Sequence, residues 1–253
     1  MFAKERREKI INIINEKKSI EVSELSKYFQ VSNVIIRKDL KYLEEKNLLE
    51  RTHGGAIEKR KFANYTTFEE RKIINKNEKY IIAKKTYTLI QENDIILMDV
   101  STINLIIAQL LFENPKNITI ITQSLDIVII LSQVEEISII SLGGNFDKKN
   151  KAFLGTLTLN NIKNFNPTKY FLGAGGINIT TGTISNYEEQ EGTIKKNFIE
   201  SSKEVYLLAE YTKFTKDSFY NFSSLDKIDY IVSNNEFSNK EIEELNKYFI
   251  KVL

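Results

Sequence analysis

The sequence predicts an α/β protein in two unequal parts, a small helical head followed by a larger domain with a mostly parallel sheet. Three observations lead there. Helical apolar spacing recurs three times before Lys46, and only Gln30-Val31 separates the second stretch from the third. From Asn77 onward, short β-branched runs alternate with helical lengths, the pattern of a sheet covered on both faces. Residues 1–61 hold 15 Lys and Arg against 10 Asp and Glu, a net of +5, so the rest of a chain of net +2 carries −3.

A first helix is expected at about Ala3–Lys17 on Ile10, Ile13 and Ile14, and a second at about Val22–Phe29 on Val22, Leu25 and Phe29. Ser32 suits the N-cap of a third, which runs through Lys46 and turns Ile36, Leu40 and Leu43 towards a core. Three helices with so short a turn between the last two make a helix-turn-helix. Arg37, Lys38 and Lys41 fall on or beside the outward face of the third helix, with Ser32 and Asn33 at its start, where an exposed helix carrying cations meets a DNA groove. Leu48–Thr52 has the character of a strand, and His53-Gly54-Gly55 that of a tight turn where backbone could approach a phosphate. Together with Arg51 and Thr52 this reads as a basic, glycine-tipped wing, and residues 1–57 as a winged helix-turn-helix DNA-binding domain. The plainer alternative is a surface amphipathic helix followed by a hairpin.

A chain of 253 residues is long enough to bury a substantial core. It holds no cysteine and one histidine, so no disulfide scaffold forms, the usual zinc sites are not expected, and a reducing, cytoplasmic setting is compatible. MFAKERREKI enters a charged helix directly, without the apolar core of a signal peptide. No run of about 18 apolar residues occurs, and no membrane partner is expected.

Glu58–Arg71 is polar, aperiodic and charged, so residues 58–75 read as a linker and 76–253 as the larger domain. Within that domain helices are expected at Asn77–Gln91, Thr102–Phe112, Leu125–Gln133, Glu188–Ser202 and Lys240–Phe249. Strands are expected at Ile95–Met98, Ile118–Thr122, Ile137–Leu142, Tyr170–Leu172, Val205–Ala209 and Tyr230–Val232. This alternation describes a Rossmann-like α/β domain, whose ligands sit beyond the carboxyl ends of the strands. Asp99, Ser101, Thr102 and Asn104 follow the first strand there, Thr122, Gln123 and Ser124 the second, and Gly143 and Gly144 the third. Gly173 and Gly175, then Glu210 and Lys213, follow two later ones. Ser101 and Thr102 at a helix N-terminus suit an anion such as a phosphate. Singly, each has a plainer reading: a helix cap, a turn, a solvated lysine.

VSNVIIRKDLKYLEEKNLLERTHGGA resembles the N-terminal signature of the DeoR family of bacterial transcriptional regulators, roughly V-S-x-x-T-I-R-R-D-L followed by R-T-H-G-G-A. Ser32, Arg37, Asp39, Arg51, Thr52, His53, Gly54 and Gly55 match; Ile35 stands in place of Thr, and Lys38 in place of Arg. The resemblance continues through DVSTIN, TQS, LGG, FLGAGG, Glu191 with Lys195, and AEYTKF, which are similar to segments of that family's isomerase-related effector domain. Asp99, Thr102, Thr122, Ser124, Gly143, Gly144, Gly173, Glu191, Lys195 and Lys213 match there. Ser101 replaces Gly, Ile103 and Asn104 replace Thr, Gln123 replaces Asn, Glu210 replaces Asp, and Gly175 replaces Asp, a loss expected to widen the pocket.

The resemblance implies a DNA-binding regulator, a repressor of a carbohydrate uptake or catabolism operon, bound to double-stranded operator DNA and released by a phosphorylated sugar, with no cofactor. Ser101, Thr102 and Asn104 are expected to hold the effector phosphate, Lys195 or Lys213 to neutralise it, and Glu191 and Asp99 to bond its hydroxyls. Paired DNA half-sites imply a homodimer or homotetramer. One alternative is a sugar-phosphate isomerase with an N-terminal appendage, for which Asp99, Glu191 or Glu210 offers a base. Another is a protein-interaction adaptor, against which the charge split argues.

Overall fold

Apolar residues at helical spacing close the first core. In the computed structural model, which describes residues 1–17, 19–58, 61–63 and 66–253, the chain forms two units, Met1–Lys61 and Phe62–Leu253. Lys18 lies outside the described residues, as do Lys59, Arg60, Asn64 and Tyr65 of the expected linker.

The first unit contains α1 (Ala3–Lys17), β1 (Ser19–Glu21), α2 (Val22–Phe29), α3 (Asn33–Glu45), β2 (Leu49–Arg51) and β3 (Gly55–Glu58). Ile10, Ile14, Leu25, Ile36, Leu40, Leu43 and Leu49 are buried together, while Ile13 packs at the edge. Gln30 ends α2 in the left-handed conformation at φ +53°. A side chain there costs about 1–2 kcal/mol; the Ser26 hydroxyl, donating to the Val31 carbonyl at 2.5 Å, holds the turn. β1, too short to show in the pattern, joins β3 and β2 in an antiparallel sheet of order β1-β3-β2.

β4 (Lys61–Phe62) spans the junction of the two units, and the Ala63 N–H donates to the Asp217 carbonyl at 2.7 Å. α4 (Phe68–Ile73) then forms inside the stretch expected to be aperiodic. Thr67 and Glu70 make a reciprocal capping box that starts it, and Phe68 is buried. Beyond it run α5 (Lys76–Thr88), β5 (Ile95–Met98), α6 (Thr102–Glu113), β6 (Ile118–Thr122), α7 (Leu125–Leu131) and β7 (Ile137–Ser141). A hairpin of β8 (Asn145–Asp147) and β9 (Ala152–Leu154) leads to α8 (Thr156–Ile162) and β10 (Lys169–Gly173). The chain continues through β11 (Gly176–Asn178), β12 (Thr183–Asn186), α9 (Glu189–Ser201), β13 (Glu204–Leu208), β14 (Lys216–Asp217) and β15 (Tyr220–Ser224). It ends with β16 (Tyr230–Val232), α10 (Asn239–Asn246) and β17 (Lys251–Val252).

Seven strands form a parallel sheet of order β17-β16-β13-β10-β5-β6-β7. Its central strands are buried on both faces, which is why they read as unbroken apolar runs. The order turns back between β5 and β10: β6 and β7 extend one way, β13, β16 and β17 the other. That reversal opens a crevice at the carboxyl ends of β5 and β10. A separate antiparallel sheet, β11-β12-β15, was not visible in the sequence pattern. Among the described residues no helix is long and apolar enough to cross a membrane.

Candidate functional site

The face of α3 is prepared by its buried side. Ser32 caps the helix by accepting the Ile35 N–H, and Ile36, Leu40 and Leu43 fill the core below it. Ser32, Asn33, Arg37, Lys38 and Lys41 are all exposed. Asp39 has another task. It is buried, and its two oxygens accept Arg6 Nε at 2.6 Å and Arg7 Nε at 2.7 Å, binding α3 to α1. The Arg7 guanidinium also lies 3.8 Å from the Tyr42 ring centroid. Sequence reading placed Asp39 in a motif but found neither arginine, because nothing local marks Arg6 and Arg7 among the other cations of α1.

The wing is held by its own backbone. The Thr52 N–H donates to the Gly55 carbonyl at 3.0 Å, and the Val22 N–H donates to that of Gly54 at 2.9 Å. Arg51, Thr52, His53 and Gly54 are exposed, and Arg51 reaches Glu44 at 3.5 Å, a surface pair of small energetic weight. The two glycines differ. A Cβ at Gly54 would meet nothing within 4 Å, whereas one at Gly55 would stand 2.0 Å from the Ile20 carbonyl oxygen. The close approach at Gly55 is therefore to β1, inside the sheet.

At the crevice of the larger unit, Asp99 leaves β5 fully buried. Its carboxylate accepts the Gly173 N–H at 2.9 Å, the Tyr170 hydroxyl at 3.1 Å and the Asn104 amide at 2.9 Å. Lys195 Nζ stands 3.0 Å from Asp99, 3.0 Å from Glu191 and 2.7 Å from the Gly173 carbonyl, to which it donates. One ammonium thus serves two carboxylates. Burial alone would push the Glu191 carboxyl up, but the charges of Lys195 and Arg71 and the hydrogen bonds from Lys195 and Asn186 hold it below its ordinary value. Burial likewise opposes the Lys195 ammonium, and Asp99 and Glu191 outweigh it, raising its pKa. Asn104 turns inward too, donating to the Phe171 carbonyl at 2.8 Å.

The remaining residues expected here mostly shape the edge. Ser101 caps α6 through the Asn104 N–H at 3.2 Å, and a Cβ at Gly173 would fall 2.5 Å from the Ser101 Cβ. Thr102 faces a groove of about 490 Å³ between α4, α5 and α6, with Glu69, Lys72 and Leu105. Thr122 donates to the Met98 carbonyl at 2.7 Å and Ser124 caps α7. Gly143 lies at φ +62° with its carbonyl bonded by Thr158, and a Cβ at Gly144 would stand 2.3 Å from the Thr158 hydroxyl. Gly175 does not widen a pocket: a Cβ there would lie 2.9 Å from Ser218 Oγ, because Ser218 takes the space.

Beside this buried set lies a group of partly or wholly buried cations. Lys213 Nζ donates to the Tyr187 hydroxyl at 2.7 Å, and the Arg71 guanidinium lies 5.4 Å from the same ring. Lys79, almost wholly buried, donates to the Arg71 carbonyl and stands 3.8 Å from Glu210. Its pKa is lowered, first by burial and further by the charges of Lys213 and Arg71, against the pull of Glu210. Lys79 was not legible in the sequence, since α5 carries other lysines at comparable spacing.

Residues 6–61 match the DeoR-like helix-turn-helix domain and residues 74–235 the DeoR C terminal sensor domain. The chain is 33% identical over 252 residues to the uncharacterized HTH-type transcriptional regulator YulB of Bacillus subtilis (strain 168), covering 100% of this chain and 96% of that one. It is 34% identical over 250 residues to the lactose phosphotransferase system repressor of Lactococcus lactis subsp. lactis, covering 98% and 97%. Ribose 5 phosphate isomerase A from Neisseria gonorrhoeae is similar at 17% identity and a TM-score of 0.40 over 55% of this chain and 53% of that one. Two domain matches and full-length relatives that are regulators set the isomerase alternative aside. The chain belongs to the DeoR family of DNA-binding transcriptional regulators, which are not enzymes.

Proposed function

We propose that this regulator represses a carbohydrate uptake or catabolism operon and leaves its operator when a phosphorylated sugar binds at the carboxyl edge of the parallel sheet. The observation that carries the ligand half is the convergence of Arg71, Lys79 and Lys213 beside the point where the strand order reverses. With Glu210 among them, these cations leave a net positive corner suited to a phosphate dianion. The lactose phosphotransferase repressor among the relatives supports a carbohydrate operon. In this reading residues 1–57 bind DNA, 58–75 connect, and 76–253 sense the ligand. Arg37, Lys38 and Lys41 follow phosphates and base edges in the major groove, while Arg51, Thr52, His53 and Gly54 lie along the neighbouring backbone. Lys213 neutralises the phosphate and Ser101 and Thr102 border it; Asp99, Asn104, Glu191 and Lys195 hold the loops that surround it. A homodimer or homotetramer reads paired half-sites. Coupling the two sites requires about 1–3 kcal/mol of differential affinity.

Fluorescence anisotropy of the full chain on DNA from upstream of its own operon, with a panel of sugar phosphates, tests this. Salt-sensitive binding reversed by one compound is expected; binding that no phosphate alters would reject the ligand assignment. Arg37→Ala should weaken binding and reduce the slope of log affinity against log salt by roughly one unit. An unchanged slope would remove Arg37 from the phosphate contacts. Lys213→Ala should blunt the response to the effector and leave effector-free DNA binding nearly intact. Loss of DNA binding in that variant would instead give Lys213 a role in folding or assembly.

A further inference from the structure

Of the exposed apolar side chains of α3, Val34, Ile35 and Tyr42, Val34 is the most exposed and the one that shares a stripe with cations. With Ile36, Asp39, Leu40 and Leu43 buried, helical spacing puts Val34, Lys38 and Lys41 on the opposite stripe as i, i+4 and i+7. Val34 is 60% exposed there, in the first turn, between the Ser32 cap and the cations. Recognition helices turn their N-terminal residues to base edges. A valine offers no hydrogen bond, and the apolar group that the standard base pairs present in the major groove is the C5-methyl of thymine.

We propose that Val34 is a specificity-determining residue that reads a thymine methyl in each operator half-site. The inference rests on the DNA-binding reading above. The flanking Arg37, Lys38 and Lys41 favour a polyanion over an apolar protein partner, since all three are exposed around the valine. The cations set the register on the backbone, and the valine discriminates the base pair beneath it.

The test uses the full chain. Its tightest duplex is first selected from a random pool at fixed salt. Each thymine of that duplex is then replaced in turn by deoxyuridine, which removes one methyl and leaves pairing and charge unchanged. At one or two positions per half-site the replacement should weaken binding on the order of fourfold, the weight of one buried carbon. Val34→Ala should bind the parent duplex more weakly by a similar factor, lose that methyl dependence and keep the salt slope. Ile35→Ala, beside it on the flank of the helix, should retain the dependence.

Methyl dependence that is absent, or that survives in Val34→Ala, would overturn the proposal while leaving DNA binding established. Dependence lost in Ile35→Ala but kept in Val34→Ala would move the contact to Ile35 and reject the assignment. If no duplex is retained at low salt, the DNA-binding reading itself fails, and this inference with it.

Discussion

Lys195→Met is expected to lower the unfolding free energy of the sensor domain by about 3–5 kcal/mol, because it leaves Asp99 and Glu191 buried without their shared cation. The deficit should depend on pH in a definite direction. In the parent chain the Glu191 pKa is depressed on folding. Its contribution is therefore present above its unfolded value of about 4.3 and is lost as pH falls through the lower folded value. The Lys195 pKa is raised, so its contribution is complete below about 10.4 and is lost as pH rises through the folded value. Without the ammonium, burial is opposed only by the Arg71 charge and the Asn186 hydrogen bond, so the Glu191 pKa should move up and the variant should regain relative stability on acidification. Urea unfolding of both proteins at pH 5 and pH 7 measures this. A deficit of equal size at both would place the effect in lost packing instead of charge.

Asp39→Ala should destabilise the DNA-binding unit by about 3 kcal/mol, since it strands the buried Arg6 and releases Arg7 from its carboxylate. Its effect on DNA is of a different kind from that of Arg37→Ala. The cations of α3 all remain, so affinity should fall through misorientation of the helix while the salt slope stays near that of the parent. Thermal melting and anisotropy across a salt series separate the two. A steeper slope would mean that Arg6 or Arg7, once released, meets phosphates, and a slope reduced to that of Arg37→Ala would mean that a phosphate contact is lost with the orientation of α3. Unchanged melting would remove Asp39 from the support of α3.

Local chemistry carried a good share of this fold in the sequence. α1 and α2 stand where apolar periodicity puts them, and the Ser32 cap starts α3, because these features depend on residues within a few positions of one another. The central strands were equally plain, being apolar on both faces. The helix at Phe68–Ile73 was legible as well, in the Thr67 to Glu70 spacing, but the charged run around it hid the signal. At the far end, α10 closes at Asn246 where periodicity suggests Phe249; Phe249 itself takes φ +60°, outside any helix.

The antiparallel sheet β11-β12-β15 has strands of three to five residues, too short for alternation to show. Nor could spacing reveal that Ser218 fills the space beside Gly175, or that Gly55 is glycine for the sake of Ile20. The sequence by itself determined where helices and strands form, which end of the chain is basic, and which residue types follow each strand. Only the tertiary structure decided strand order and partnership. β10 returns to pair with β5 across about seventy intervening positions, on the side of β5 away from β6 and β7, which brings Lys195 to Asp99 and Lys79 to Glu210. A charge becomes structural or available for a ligand through such pairing, since burial and the nearest opposite charge set its energy, and both are fixed by parts of the chain far away in sequence.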